Sequence, residues 1–256
     1  TEDMEPFGKG KGTRVREWLS TLPERSGYSI ILHGSSDSRG ASAYCYESLG
    51  EERRGYDTVD FVRFSIPLVV ALHDVGSLEG LLLEACAQLG PVSGYAGIGI
   101  IESPDSSISI KYEPTVYAWA QRFPGLEADY PISHSIWLGK GRDGGRPGIK
   151  GVNWFTVLAD RWLEELGGRE KVISDIMAMD RNFRLVPYAG GLLIRAGTRP
   201  QLGDAQRNIW PDLYIELSKY LKPIRIVQHG PFQHGNPGLR FDHERSEAWL
   251  RRFDDR

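Results

Sequence analysis

The chain has 256 residues, of which 40% are hydrophobic and 25% charged, and its formal net charge is −3 at pH 7. A chain of this length buries about 70–75% of its unfolded surface, so it can hold a core without disulfides or metal ions. The slight acidic excess argues against a dedicated nucleic-acid-binding protein, and no apolar run approaches the length of about 18 residues that a membrane span requires.

The first part of the chain is predicted to form an N-terminal region, residues 1–54, followed by a strand-helix-strand-helix-strand unit, residues 55–140. The helix after the first strand of this unit shows the clearest pattern. Its apolar residues from Leu78 to Leu89 recur at the i, i+3, i+4 spacing of one helical face, between Ser77 as N-cap and Gly90 as terminator. The elements predicted up to residue 140 are a helix at Val15–Leu22, a strand at Tyr28–Leu32, a strand at Val59–Val70, a helix at Ser77–Leu89, a strand at Tyr95–Glu102, a helix at Pro114–Phe123 and a strand at Ile132–Leu138.

A second unit with the same order of elements is predicted over residues 141–230, and a C-terminal loop and helix over residues 231–256. Proline opens the second helix of each unit, where its missing N–H costs nothing. The predicted elements are a strand at Ile149–Asn153, a helix at Trp154–Leu166, a strand at Tyr188–Ala196, a helix at Pro211–Leu221, a strand at Ile224–Gln228 and a final helix at Glu244–Phe253.

The two units resemble each other in sequence. Tyr95–Ile101 is echoed by Tyr188–Ile194, and the helical spacing that begins at Leu78 recurs from Phe155. The pattern predicts an α+β (mixed α/β) fold built from two related β-α-β-α-β units, which would arise by internal duplication. The glycine-rich stretch Gly139–Gly148 would be the connector between them. The second unit departs from the first by an insertion over Arg169–Arg184 and by a longer loop that contains Gly203 and Asp204.

The sequence lacks the motifs of the common catalytic chemistries. It contains neither Gly-x4-Gly-Lys-Ser/Thr, which would bind phosphate, nor Gly-x-Ser-x-Gly, which would present a nucleophilic serine. The histidine cluster formed by His229, His234 and His243 has no zinc-motif spacing. We therefore predict no catalytic residue, no cofactor and no metal. The two cysteines, Cys45 and Cys86, fit a reducing cytoplasm, although a disulfide between them remains an alternative.

Asp204 is the carboxylate with the most open interpretation. It follows a glycine in a polar loop and lies close in sequence to Arg199 and Arg207. A carboxylate in this setting is a general base, a metal ligand, a helix cap or one half of an ion pair. Capping with arginine support is favoured, because aspartate readily accepts backbone N–H groups at turns and helix starts.

The second unit carries a pattern that resembles a known family. The matching residues are structural in character, and they comprise Gly151-Val152-Asn153-Trp154, Gly190-Gly191-Leu192-Leu193-Ile194-Arg195-Ala196-Gly197, Pro200-x-Leu202-Gly203-Asp204 and Leu221-Lys222-Pro223-Ile224-Arg225. In order and spacing the sequence resembles the type VI secretion immunity family that was long known as a domain of unknown function. The resemblance covers residues 55–230 and is strongest over residues 148–225.

The resemblance implies a cytoplasmic, non-enzymatic protein that neutralises a cognate secreted toxin by stoichiometric binding. Members of this family accompany toxins similar to restriction-endonuclease-type nucleases, so a nuclease is the implied partner. No direct nucleic-acid partner and no membrane partner are predicted, and the oligomeric state is left open. The toxin contacts are predicted in four polar segments, at residues 103–107, 139–146, 169–184 and 199–210. The candidate partner-binding residues are Asp105, Asp143, Arg146, Asp175, Asp180, Arg199, Asp204, Arg207 and Trp210.

The chemistry of these candidates suggests two modes of binding. Trp, Tyr and Arg are the usual anchors of tight interfaces. If the protein mimics nucleic acid, the aspartates should dominate, and binding should weaken with salt.

Two other functions remain open from the sequence. One is a hydrolase or nuclease that uses Asp204 with Arg199 and Arg207. The other is an adaptor that loads an effector for secretion, which differs from an inhibitor because the bound toxin would stay active.

Overall fold

The computed structural model describes residues 11–23, 26–37, 39–50, 58–139, 146–235 and 238–256. These residues form helices around two antiparallel sheets, which confirms the mixed α+β class. Residues 140–145 of the predicted connector, which include the candidate Asp143, lie outside the described ranges.

The strands form one sheet of three and one of four. The first sheet has the order β1-β2-β3 and the second has the order β4-β5-β7-β6, with every neighbouring pair antiparallel. The strands are β1 (Tyr28–His33), β2 (Cys45–Gly50), β3 (Phe61–Ser65), β4 (Ser93–Ala96), β5 (Phe155–Ala159), β6 (Phe183–Tyr188) and β7 (Gly191–Ala196).

Helix α1 precedes the strands, and the other helices lie between and after them. Two short 3-10 helices, Ala205–Arg207 and Lys222–Ile224, flank the helix that follows β7. The α-helices are α1 (Lys11–Thr21), α2 (Leu68–His73), α3 (Val75–Leu89), α4 (Ser106–Arg122), α5 (Pro131–Leu138), α6 (Asp160–Glu165), α7 (Arg169–Met179), α8 (Asp212–Leu221) and α9 (His243–Leu250).

The main core surrounds the two central strands of the larger sheet. Phe155 and Leu158 of β5, and Leu192 to Ile194 of β7, are fully buried. Because side chains on both faces of these strands are covered, their sequences are largely apolar and do not alternate regularly between apolar and polar residues. A smaller core forms between the end of α4 and the C-terminal segment, where Phe232, Phe241 and Trp249 pack together.

The internal duplication is not confirmed, because several elements of the two units differ from their predicted type. Phe155–Ala159 is a strand where a helix was predicted, and helix α6 begins only at Asp160. Ile132–Leu138 lies in helix α5 where a strand was predicted; Pro131 occupies its first turn, and the His134 N–H donates to Tyr130 O. Strands from both predicted units also pair within one sheet, since β4 is bonded to β5.

The echoed segments occupy different structural positions. Tyr188–Ile194 contains a hairpin turn between β6 and β7, with Gly190 at a φ of +100°, whereas strand β4 ends at Ala96. The strands predicted at 149–153 and 224–228 reduce to a single bridge between Ile149 and Arg225. The predictions for α1, β1, α3, α8 and α9 are confirmed to within a few residues.

Candidate partner-binding surface

Helix α4 begins earlier than the sequence predicts, because Asp105 caps it. The Asp105 carboxylate accepts the Ser107 N–H at 2.8 Å and the Ser107 hydroxyl at 2.6 Å, and these hydrogen bonds lower the pKa of that carboxyl. Such a cap satisfies backbone donors that the first helical turn leaves unpaired. Pro114, predicted to start this helix, lies inside it instead.

The two faces of α4 have different roles. Glu113, Val116 and Ala120 are buried, and the Glu113 carboxylate accepts the Gly235 N–H at 3.1 Å. On a neighbouring side of the helix, Tyr112 is 57% exposed and Trp119 is 52% exposed. Residues seven apart lie nearly above one another on a helix, so these two rings share one solvent-facing stripe.

The loop between β7 and α8 packs against the end of α4. Asp204 accepts the Gln206 N–H at 3.1 Å and thereby caps the 3-10 helix Ala205–Arg207. The Arg122 guanidinium donates to the same carboxylate at 3.0 Å. This hydrogen bond lowers the pKa of Asp204, which favours its ionised form. Asp204 and Ile209 also pair through both backbone groups, at 2.8 and 3.0 Å.

Two contacts fix the first half of this loop. The Gly125 N–H donates to Leu202 O at 2.8 Å, and the Gln201 N–H donates to the Tyr214 hydroxyl at 3.0 Å. A Cβ at Gly125 would lie only 1.8 Å from Gln201 O, so the two backbones approach more closely than any side chain would allow.

Gly125→Ala is expected to destabilise the protein by roughly 3 kcal/mol, because the added methyl group would push two backbone segments apart. Gly80→Ala is the matched control: it lies in α3 with nothing within 4 Å of a new Cβ, and it should stabilise the helix by up to about 1 kcal/mol. Urea unfolding measures both. Equal free energies of unfolding for Gly125→Ala and the wild type would contradict the close approach.

Asp204→Ala is expected to lower the melting temperature more than Asp204→Asn. Asparagine keeps an acceptor oxygen for the Gln206 N–H but loses the charge that binds Arg122, whereas alanine loses both interactions. Scanning calorimetry of the three proteins measures the order. An alanine variant that melts with the wild type would contradict the capping role and reopen the catalytic interpretation of this residue.

The structure brings together only some of the predicted residues. Arg199, Arg207 and Trp210 share the loop with Asp204, and the Trp210 indole donates to the Asn208 side chain at 3.0 Å. Asp105 lies at the opposite end of α4 from Arg122 and forms an ion pair with Arg39 at 3.2 Å.

The remaining candidates already have internal partners. Asp175 accepts the Tyr220 hydroxyl at 2.9 Å and pairs with Lys171, while Asp180 accepts the Asn182 N–H at 2.7 Å. Arg146 pairs with Glu165. Asp105, Asp175 and Asp180, which the nucleic-acid mimicry hypothesis needs at the surface, therefore serve local contacts.

Sequence reasoning missed the residues that extend this surface onto α4, namely Tyr112, Trp119 and Arg122. Reading Asp105-Ser106-Ser107 as an N-cap rather than as a polar loop would have started the helix at residue 106. The spacing of Tyr112 and Trp119 would then have predicted an aromatic stripe.

A second polar cluster lies inside the protein. Lys150 is 4% exposed, forms an ion pair with Glu127, and donates to Ala128 O at 2.8 Å. Its amine is enclosed by these partners and by the ring of Tyr95, whose centroid is 4.5 Å away. This burial points to a structural role for the cluster.

Among the residues that the structure describes, no group of three or more His, Cys, Asp or Glu side chains could hold a metal ion. None of the helices in the described ranges is both long and apolar enough to cross a membrane. Cys45 and Cys86 are free thiols, so the alternative of a disulfide between them is not realised.

Comparison with known proteins identifies the family. Residues 1–253 match the family TsiV, described as type VI immunity for VRR-NUC. The chain belongs to the TsiV family. It is thus a type VI immunity protein, and the resemblance seen in its glycine and tryptophan pattern is confirmed.

A solved structure supports the TsiV assignment. The Pseudomonas aeruginosa T6SS protein PA0821 has the same fold, with a TM-score of 0.83 and 25% sequence identity over 98% of this chain and 69% of that chain. A local similarity to the small ribosomal subunit protein eS1 of Nanoarchaeum equitans extends over 73 residues at 29% identity. It spans 28% of this chain and 36% of the ribosomal protein, so it carries no functional argument for a TsiV protein.

Proposed function

We propose that this TsiV protein acts in the cytoplasm, where it binds a VRR-NUC nuclease toxin of the type VI system and silences it stoichiometrically. The observation that carries the proposal is the family match over residues 1–253, whose description names immunity to VRR-NUC. The similarity to a T6SS protein along 98% of the chain supports the same context.

The geometry favours inhibition by binding over catalysis. Asp204, the carboxylate considered for hydrolysis, serves as a cap and as the partner of Arg122. Lys150 and Glu127 are paired and buried, with exposures of 4% and 7%. Ionisable groups held in this way stabilise a fold, whereas the exposed tryptophan and arginine side chains of α4 are suited to an interface.

Co-expression with the VRR-NUC toxin tests the proposal. The immunity protein should restore growth, co-purify with the toxin in a fixed ratio, and abolish DNA cleavage by purified toxin once that ratio is reached. A toxin whose catalytic carboxylate is replaced should still form the complex, because binding needs the toxin surface and not its turnover.

Two outcomes would overturn this function. If toxin and immunity protein form no complex and growth is not restored, the binding hypothesis fails. If they form a complex in which the nuclease still cleaves DNA, the protein is an adaptor for an active effector.

A further inference from the structure

We propose that the toxin docks on one arginine-aromatic face and meets it with an acidic, carboxylate-bearing surface. The docking face consists of Tyr112, Trp119 and Arg122 of α4 together with Arg207 and Ile209 of the β7–α8 loop. This inference rests on the proposed function and adds to it the place of contact and the chemistry of the partner.

The docking face is continuous across two segments. Tyr112, Trp119 and Arg122 lie on one side of α4 by helical spacing, and Arg122 joins the loop through its 3.0 Å hydrogen bond to Asp204. Ile209 pairs with Asp204 through the backbone and is 48% exposed. Arg207 ends the 3-10 helix that Asp204 caps, and it too is exposed.

The charges of these segments are mainly positive at the surface. Asp204 is only 8% exposed and lies beneath the guanidinium of Arg122, so its charge is largely covered. Exposed Arg199 precedes it in the loop, and Arg256 stacks over Trp210 at 4.0 Å. The exposed acidic residues of the adjoining α8 and C-terminal segments include Asp212, Glu216 and Asp255.

This positive face fits carboxylates better than it fits a phosphate-binding surface. Proteins contact nucleic-acid phosphates with lysine and arginine, so the DNA-binding surface of a nuclease would repel exposed arginines. A carboxylate, by contrast, matches the planar fork of a guanidinium and can bind it through two parallel hydrogen bonds.

Arg122 is prepared for such a contact by its internal partner. Asp204 holds one guanidinium nitrogen, while the side chain remains 45% exposed. A side chain that is already fixed loses less conformational freedom on binding, which favours affinity. The neighbouring ring of Trp119 offers the large apolar contact area that anchors of tight interfaces usually supply.

A second exposed apolar region is less suited to tight binding. Helix α2 exposes Leu68, Val69 and Val70, and Val69 is 75% exposed. Valine and leucine are under-represented among the residues that dominate binding energies, whereas tryptophan, tyrosine and arginine are enriched. Helix α2 therefore serves as the control region.

The test uses the full immunity protein and purified, catalytically inactive toxin, with dissociation constants measured by calorimetry. Trp119→Ala is expected to weaken binding roughly 30-fold or more, as loss of an interface anchor does. Arg122→Glu and Arg207→Glu should each weaken it roughly 100-fold or more against an acidic partner. Arg207 contacts Asp204 through its backbone N–H, whereas the ion pair of Asp204 is with Arg122, so the Arg207 variant tests the charge of the face without removing a side-chain partner of the cap.

Matched controls lie elsewhere on the surface. Val69→Ala removes an exposed apolar side chain of α2, and Arg16→Glu reverses an exposed arginine of α1. Both should bind the toxin about as well as the wild type, within roughly threefold, because distant surface changes contribute little. Thermal melts of every variant show that a loss of binding does not reflect unfolding.

The outcomes separate this inference from the proposed function. If the wild type binds the toxin and all docking-face variants bind it equally well, the docking face is wrong but the proposed function stands. If the wild type does not bind the toxin, the proposed function itself is overturned. Tighter binding by the two glutamate variants, or faster association at higher salt, would overturn the acidic partner. Binding of a DNA duplex that Arg122→Glu abolishes would assign the face to nucleic acid instead.

Discussion

Replacing Lys150 with methionine is expected to lower the free energy of unfolding by about 3–5 kcal/mol, the usual effect of breaking a buried ion pair from one side. Methionine fills the space of the lysine stem but removes the charge. The Glu127 carboxylate then stays buried with the Asn153 amide as its remaining partner, at 2.7 Å. When one charge of a buried pair is removed, the charge left behind has lost its water and no longer has its partner, so the fold bears the full desolvation penalty of that group.

The loss of stability in Lys150→Met should exceed that of one ion pair, because the hydrogen-bonded network around Lys150 reaches both sheets. The Tyr95 hydroxyl donates to Asp129 at 2.6 Å, and burial beside Asp129 and Glu127 raises the pKa of that hydroxyl well above its usual range. Arg63 of the three-stranded sheet lies 3.5 Å from Asp129 and also pairs with Glu47. The Lys150 amine supports this chain through Tyr95.

Urea unfolding of Lys150→Met measures the effect, and Lys171→Met is the control. Lys171 forms an exposed pair with Asp175, and surface pairs of this kind contribute little, so this variant should unfold close to the wild type. The double variant Lys150→Met/Glu127→Leu should recover part of the loss by removing the orphaned charge. If the free energy of unfolding of Lys150→Met lies within about 1 kcal/mol of the wild-type value, the buried ion pair is not needed for stability.

Acidification from pH 7 to pH 4.5 is expected to destabilise the protein through a buried pair of histidines. His134 Nε2 accepts the Tyr130 N–H at 3.1 Å, so its Nδ1 carries the proton and donates to His229 Nε2 at 2.9 Å. His229 then donates from Nδ1 to Gly230 O at 2.7 Å. This chain of hydrogen bonds requires both rings to be neutral.

The direction of the pH effect follows from the pKa values. Burial lowers the pKa of His229 to about 4, and burial followed by the charge of Lys150 lowers that of His134 well below its usual value. In the unfolded chain both rings titrate near their ordinary pKa of about 6.5. The contribution of the two neutral rings to the free energy of unfolding is therefore complete above pH 6.5, the ordinary pKa of about 6.5 being that of the unfolded chain. It is lost as the pH falls towards 4, by about 1.4 kcal/mol per pH unit for each ring.

The free energy of unfolding at pH 7.5, 6.0 and 5.0 gives this slope directly. His229→Phe, which keeps a ring beside Phe232 and Trp137, should be less stable at pH 7.5 but should lose less stability on acidification. His243→Ala removes a histidine whose side chain is 64% exposed, so it should follow the wild-type profile. Parallel profiles for the wild type and His229→Phe would contradict the role of the pair.

The fold was predictable from sequence where a helix has one apolar face and clear ends. Helix α3 has both, and Gly90 ends it in the left-handed conformation as predicted. Its N-cap, however, is Asp74 and not the predicted Ser77, because the Asp74 carboxylate accepts the Ser77 N–H at 2.9 Å and the helix begins at Val75. Strand β5 was not predictable, because Phe155, Leu158 and Ala159 also satisfy helical spacing. What decides its conformation is pairing on both sides, with β4 and with β7, which are distant in the chain.

The candidate surface was only partly predictable for a similar reason. The polar loop with Asp204, Arg207 and Trp210 stands out locally as a departure between two similar segments. The partner of Asp204, however, is Arg122, which lies 82 residues earlier, and no local pattern indicates that contact. The start of α4 was also predicted too late, at Pro114, because proline more often opens a helix than interrupts it. The first turns of the helix, which include Tyr112, were therefore missed.

The edges of the four-stranded sheet limit how the protein can meet another polypeptide. The sheet ends on β4, which has only four residues, and on β6, in which Pro187 supplies no N–H. Short edges and edge prolines are features that hinder the addition of a foreign strand. β-Augmentation, by which many proteins capture peptides through their backbone, is therefore disfavoured at this sheet. Discrimination between toxins would then depend on side chains, which can change from one homologue to the next while the backbone stays the same.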